Sequence, residues 1–339
     1  MNNNIEALPK ELFEPAAPDR DQSELIAKPQ LSFMQDAWMR IRKNKGAVVS
    51  LFIIIILILM AIIGPHLSKS GPYEQNSSRA NLPPRIPVIE KLGIFDGSQT
   101  VGGQKVNMYE QNHIQTYYWF GTDALGRDLF ARAWQGTRIS LYIAFLAAVI
   151  DMLIGVSYGL ISGYKGGQVD NVMQRIIEVL SGIPNLIVVI LMLLIFKPGI
   201  FSITIAMVIT GWLNMARVVR GQVLKLKNME YVLAAKTLGA SNTRILFKHL
   251  LPNLTGVIII NTMFTIPSAI FFEAFLSFIG IGLQSPAASL GTLIEDGYKT
   301  FQFLPYLMAV PGTIICLLLV AFNLLADGLR DAFDPKMRD

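Results

Sequence analysis

Glu230-Tyr231-Val232-Leu233-Ala234-Ala235-Lys236-Thr237-Leu238-Gly239-Ala240-Ser241 continues through Asn242 to His249, closes with Leu250-Leu251-Pro252-Asn253, and is a polar island between two apolar runs. Its grammar is that of helix, turn, helix. Asn228 is placed to cap a first helix, with Glu230 in the first turn and Lys236 in the last, so both charges suit the helix macrodipole. Gly239 supplies the stop. Ser241 then caps a second short helix carrying Arg244 and Lys248, and Pro252 is tolerated in the first turn of whatever follows. Ala234 and Ala235 add little bulk, so another backbone could approach closely, while Tyr231 and Leu238 offer something apolar to insert. Read by this grammar alone, the stretch also fits an ordinary amphipathic connector.

Working outward, 52% of the 339 residues are apolar and only 16% are charged. That balance excludes an ordinary soluble domain and predicts an all-α polytopic membrane protein. Runs near the ~20 residues a bilayer requires are Ala47 to His66, Ser140 to Ile161, Ile176 to Phe196, Ile200 to Val219, Leu254 to Ile279 and Leu304 to Leu325, about six spans in all. The first is too long and too late in the chain for a cleaved signal peptide. Arg40, Arg42, Lys43 and Lys45 precede it; Arg217, Arg220, Lys225, Lys227, Lys236, Arg244 and Lys248 fill the loop after the fourth span; Arg330, Lys336 and Arg338 follow the last. The opposite short loops carry only Lys197 and Lys299. The positive-inside rule therefore predicts a multi-pass protein of the cell membrane with both termini and the loop 217–253 cytoplasmic. This topology accounts for the net positive charge without a nucleic-acid partner. Cys316, the single cysteine, falls inside the last span, where packing is its expected role, and no intrachain disulfide is possible.

Residues 1–31 lack periodicity and read as a mobile cytoplasmic tail. Over 32–46, Phe33, Met34, Ala37, Trp38 and Ile41 share one helical face and Gln35, Asp36, Arg40 and Lys43 the other, which fits an interfacial helix on membrane lipid or an extension of the first span, 47–66. The polar insertion 67–139 contains the turn signals Leu82-Pro83-Pro84 and Asp96-Gly97 and should face outward. Its Tyr117-Tyr118-Trp119-Phe120 run reads as an interfacial aromatic belt, with stacking on a ligand as the alternative. Phe120-Gly121-Thr122-Asp123-Ala124-Leu125-Gly126-Arg127-Asp128 is a glycine-punctuated turn whose acid and base can pair locally. A core of five further spans occupies 140–327, and 328–339 form a C-terminal tail. Gly163, Lys165, Gly166 and Gly167 make a flexible turn between the second and third spans, and Pro184 and Pro267 permit kinks in the third and fifth. Asp151 and Glu273 lie at membrane depth, where ionisable groups are costly; Glu178 is read as pairing with Arg175 near a boundary.

Glu230-Tyr231-Val232, Ala234-Ala235, Leu238 to Ser241, Ile245, His249 and Leu251-Pro252-Asn253, in that order and spacing, resemble the cytoplasmic EAA loop of ABC importer permeases, the segment that docks on the ATPase. Leu233 stands where many such loops have the Glu of the motif's name, a mark shared with the peptide-importer branch. The 120–128 segment resembles that branch's FGTD-x-x-GRD signature. Phe275 to Gly282 with Ser285-Pro286 resembles its FLSFLGLG segment, with Leu290 in place of a usual Trp. Phe322 to Pro335 resembles its NLLGDGLRD ending, with Ala326 for Gly. The resemblance runs from Ser32 to the C-terminus and implies a type I ABC importer permease fold of the oligopeptide or dipeptide branch, the nickel branch sharing many motifs. It implies Glu230, Tyr231, Ala234, Ala235, Lys236, Leu238, Gly239, Ala240 and Ser241 as the ATPase-docking residues. Implied partners are a second related permease, two ABC ATPase subunits that bind the ATP and Mg, an extracytoplasmic peptide-binding protein and the peptide.

No G-x-x-x-x-G-K-[ST] phosphate loop occurs in the chain, so ATP is not cradled here by that device. His66, His113 and His249 lack metal-ligand spacing, and no nucleophile–base set can be argued; an enzyme is not expected. The other class to weigh is a secondary transporter, for which Asp151 and Glu273 are the deep candidates, Glu273 being read first as a structural hydrogen-bonded group.

Overall fold

The computed structural model describes residues 33–284 and 286–333. The expected N-terminal tail, Ser285 and the residues from Asp334 onward lie outside that range. α1, Phe33–Lys43, and α2, Lys45–Leu67, are separate helices rather than one extended span. Asn44 divides them: its side chain caps α2 by accepting the Ala47 N–H at 3.2 Å. Ala37 and Ile41 are buried, Ile41 packing with Ala47 and Ala332, whereas Trp38 stays outside with the Arg42 guanidinium 5.0 Å from its ring.

Beyond α2 the chain forms a small unit of its own. β1, Ser98–Val101, and β2, Gln104–Asn107, make an antiparallel hairpin with Ser98 opposite Asn107, and α3, Met108–Gln111, follows under an Asn107 cap. Leu82, Tyr109 and Tyr118 are its core. Tyr118 thus departs from the expected aromatic belt: it is buried, and its hydroxyl accepts from Arg79 at 2.7 Å, satisfying the polar tip that burial would otherwise strand. Tyr117 and Trp119 remain partly exposed.

α4, Leu129–Lys165, begins under an Asp128 cap, well before the expected Ser140, so the insertion closes at Asp128. α5, Gly167–Ser181, and α6, Asn185–Phe196, meet at 81°. The span expected over Ile176 to Phe196 is therefore not a single rod. The residue before Pro184 is biased out of the helical region, and α6 alone reaches only about 18 Å, short of a bilayer core. α7, Ile200–Leu226, leads to α8, Glu230–Thr237, and α9, Asn242–Arg244. A π-helical turn over Ile245–Leu250 joins α9 to α10, Leu251–Phe278. α11, Leu290–Lys299, and α12, Tyr306–Phe333, complete the described chain. α12 runs on past Gly328, so residues 328–333 are helix and not tail. Cys316 is exposed on α12 and is not a core residue as expected. Pro267 leaves α10 unbroken.

Among the described residues five helices are long and apolar enough to cross a membrane, and the bent α5–α6 pair makes a sixth when taken as one broken span. Their core joins α2, α4, α6, α7, α10, α11 and α12. The closest pairing, α4 against α7, rests on Gly155, Gly159 and Gly163, where an added Cβ would lie within 3.0 Å of Met215, Ala216 and Val223 respectively. α4 therefore runs from the insertion end of the bundle to the opposite end as one helix.

Candidate functional site

At that opposite end the stretch 228–253 forms an elbow. Asn228 is not its cap: α8 starts at Glu230, so Met229 is the capping residue, without a side-chain bond, and Asn228 lies one position too early with its Nδ2 donating to the Leu224 carbonyl in α7. α8 ends as the sequence demands. The Gly239 N–H donates to Lys236 O and the Ala240 N–H to Ala235 O, both at 3.0 Å, with Gly239 at φ +78°, which is a Schellman closure. Nothing lies within 4 Å of a Cβ added at Gly239, so glycine is required there by backbone conformation and not by crowding. Ser241 caps the next turn, accepting the Arg244 N–H at 3.3 Å.

The second helix is not the separate short one expected. α9 passes through the π turn directly into α10, making Asn242–Phe278 a continuous helical rod. Pro252 explains the π turn: it has no N–H for the carbonyl four residues back, and its ring would crowd that carbonyl in a regular helix. Asn253 Nδ2 takes the neighbouring His249 carbonyl at 2.6 Å instead. The elbow is thereby continuous with a helix long and apolar enough to cross a membrane.

Three buried residues seat the elbow. Val232, Ile245 and Leu250 pack with Leu160 of α4, Val219 and Val223 of α7, and Leu254 and Ile258 of α10. Polar ties surround this base. Tyr164 donates to Asn242 Oδ1 at 2.8 Å, and Lys227 Nζ to Gly163 O at 2.9 Å. The buried Asp170 receives both Nε and Nη2 of Arg220 at 2.6 Å and also accepts from Ser162. Outward from the base, Glu230, Ala234, Lys236 and Ser241 are exposed, while Ala235 and Ala240 are half-buried. Tyr231 is 40% exposed, Leu233 48%, Leu238 87% and Phe247 62%, large apolar side chains left outside the hydrophobic clusters of the described residues. Phe247 was hidden from a pattern reading by the π turn, which rotates it away from the apolar face.

The insertion end carries the other legible motif. Asp123 Oδ2 accepts from Arg127 Nε at 2.6 Å, the local pair expected, and Oδ1 takes the Leu125 and Arg127 N–H groups at 3.0 Å each. Arg132 Nε lies 3.5 Å from the same carboxylate, and Asp296 of α11 is 3.7 and 3.8 Å from the two guanidinium groups. Tyr306 of α12 donates to the Leu82 and Thr122 carbonyls at 3.0 Å. The segment 120–128 is thus a knot that pins the insertion to α4, α11 and α12. Desolvation pushes the Asp128 carboxyl up, against the bonds it accepts from Ser68 and Phe130.

Between the ends, Glu273 is fully buried and satisfied, accepting from Ser140 at 2.7 Å and Ser277 at 2.8 Å. Glu178 pairs with Arg175 at 2.6 Å on the exposed face of α5. Asp151 differs from both. It lines an open cavity of about 370 Å³ together with Asn185, Thr210, Asn214, Asn261 and Ser268. Sequence reasoning singled out Asp151 but missed its companions, which come from three other helices; their one signal was polarity inside apolar runs.

Comparison with known proteins agrees with this geometry. Residues 155–339 match the family described as binding-protein-dependent transport system inner membrane component, and residues 32–84 match the N-terminal TM domain of oligopeptide transport permease C. The chain is 46% identical over 334 residues to the oligopeptide transport system permease protein OppC of Bacillus subtilis, covering 98% of this chain and 100% of that protein. It is 46% identical over 318 residues to the dipeptide transport system permease protein DppC of the same organism, covering 94% and 90%. Against OppC of Escherichia coli K12 the identity is 36% over 307 residues, covering 91% and 92%. Among solved structures, a chain of the inward-facing MetNI methionine ABC transporter in its CY5 native crystal form shares the fold at a TM-score of 0.50 and 18% identity, covering 59% of this chain and 95% of that one.

Proposed function

The chain belongs to the family of binding-protein-dependent transport system inner membrane components, and from that premise we propose that it is one of two related permease subunits of an ATP-driven importer for oligopeptides or dipeptides. The observation that carries the reading is the elbow. A transporter driven by ions has no use for an apolar patch mounted on the end of a spanning helix, whereas one driven by separate ATPases must receive a mechanical input. Exposed Tyr231, Leu233, Leu238 and Phe247 are the contact surface, and buried Val232, Ile245 and Leu250 hand the displacement to α4, α7 and α10. The relatives' names supply the substrate class.

In this reading two ABC ATPases bind the ATP and Mg and seat on the two permeases, while an extracytoplasmic peptide-binding protein delivers peptide at the insertion end. The elbow and both termini lie on the cytoplasmic side of the cell membrane and residues 68–128 outside, in keeping with the Lys and Arg distribution. Glu273, with both carboxylate oxygens occupied by serine hydroxyls, ties α4 to α10 and is no relay. In vesicles holding the assembled transporter, peptide uptake should require ATP and the binding protein, survive collapse of the proton gradient, and change little in Glu273→Gln. Accumulation by this chain alone, without ATP and driven by an imposed pH gradient, would overturn the reading.

A further inference from the structure

Asp151 is the deep carboxylate the fold leaves unanswered. It sits fourteen residues from the end of α4, about 21 Å along the axis, and is only 5% exposed. Its Oδ1 has no hydrogen-bond partner. α7 is shaped around it: a Cβ on Gly211 would fall 2.3 Å from Oδ2, so glycine is what lets the carboxylate lie against that helix. Burying a carboxylate without a partner is costly, and the two resolutions are uptake of a proton and a counter-charge that arrives with a ligand.

The surroundings say which counter-charge. The cavity it lines contains no Lys, Arg or His among the described residues. Asn261 donates its amide to the Val257 carbonyl at 2.8 Å, which leaves its Oδ1 as an acceptor. Asn185, Asn214 and Ser268 are exposed at the cavity although they belong to apolar helices, and polar side chains at membrane depth face a protein partner or an aqueous path rather than lipid. A ligand rich in donors, positively charged and entering from the open side is the complement of this lining. An ammonium has three donors and no acceptor.

We propose that the cavity at Asp151 is a subsite of the translocation path that receives the protonated amino group of a passing peptide, with the Asp151 carboxylate as its charge partner and Asn261 Oδ1 as a second acceptor. The inference rests on the importer reading above and adds to it a residue and a recognised chemical group. Asp151 contributes a transient hold, weak enough for release because the cavity is open.

Two measurements test it on the assembled transporter in vesicles. In the first, ATP-driven import of one peptide with a free amino terminus is compared with import of its N-acetylated form. Asp151→Asn should slow the free peptide about tenfold, the loss of one charge-assisted pair, leave the N-acetylated form at its wild-type rate, and be restored by Asp151→Glu. The binding protein is common to all variants, so its own preference cancels. An equal fall for both peptides, or none, overturns the subsite; wild-type vesicles that import neither peptide overturn the importer reading itself. In the second, which needs no Asp151 variant to assemble, Asn214→Cys in a Cys316→Ala background reacts with methanethiosulfonates bearing an aminoethyl or a sulfonatoethyl group, the thiolate forming a mixed disulfide and releasing methanesulfinate. The cationic reagent should react at least tenfold faster than the anionic one after correction for their rates with a free thiol. Equal corrected rates overturn the proposal.

Discussion

The two ends of this bundle are built on opposite principles. At the insertion end, Asp123, Arg127 and Arg132 are each less than a tenth exposed and share their charges with Asp296, while Tyr306 bonds two carbonyls of the insertion. At the elbow end, the backbone closes its own turn, three aliphatic residues anchor it, and the large side chains point out. The first arrangement fixes a shape. The second presents a shape to something else, and its cost in exposed apolar surface makes sense only with a partner seated there.

Breaking the insertion end should show the larger effect. Arg127→Ala would remove the 2.6 Å partner of the buried Asp123 carboxylate and leave Arg132 at 3.5 Å, a loss of about 3 kcal/mol, the low end for breaking a buried pair. Thermal unfolding of the purified complex should drop steeply, with transport falling only in proportion to the folded fraction. The elbow should respond the other way. Gly239→Val meets no neighbour and costs about 1–2 kcal/mol through the left-handed backbone alone, yet it should uncouple transport from ATP hydrolysis. Wild-type import by the assembled Gly239→Val complex would show that the Schellman turn does not set the docking geometry.

A smaller effect sharpens the comparison within the insertion. Lys105, 2.6 Å from Asp96, holds that carboxyl below the usual carboxylate range. A folded value depressed in this way contributes stability above the unfolded value and loses it as pH falls through the folded one. Because the pair is largely solvated, Lys105→Ala should cost less than about 1 kcal/mol at neutral pH, and the difference from wild type should begin to shrink near the unfolded value of about pH 4 and vanish only below the lower folded value. An effect comparable with that of Arg127→Ala would mean the hairpin shares the knot's role.

Much of this was legible in the chain because the signals are local. Gly239, Ser241, the Asp123–Arg127 pair and the Arg175–Glu178 pair involve residues within four positions of one another, and each forms as read. Features that depend on geometry between elements differ from the sequence expectation. Asn228 lies one position before the cap and donates to a carbonyl on α7, Pro252 turned a supposed boundary into a π turn, and Pro184 made a bend of 81° where composition shows only an apolar run. Tyr118 looked like its neighbours until Arg79, distant in sequence, supplied its partner. The Asp151 cavity draws on α4, α6, α7 and α10, so no window of sequence contains it.

Docking of an ATPase on the elbow, as proposed above, has a direct test. Leu238→Cys, placed at the most exposed apolar position of the elbow in a Cys316→Ala background, should crosslink through a short thiol-to-amine reagent to a co-purified chain bearing the G-x-x-x-x-G-K-[ST] phosphate loop, while Ser98→Cys in the insertion hairpin should not. Crosslinking to that chain from Ser98→Cys, or from neither position in a complex that still hydrolyses ATP and imports peptide, would contradict the account.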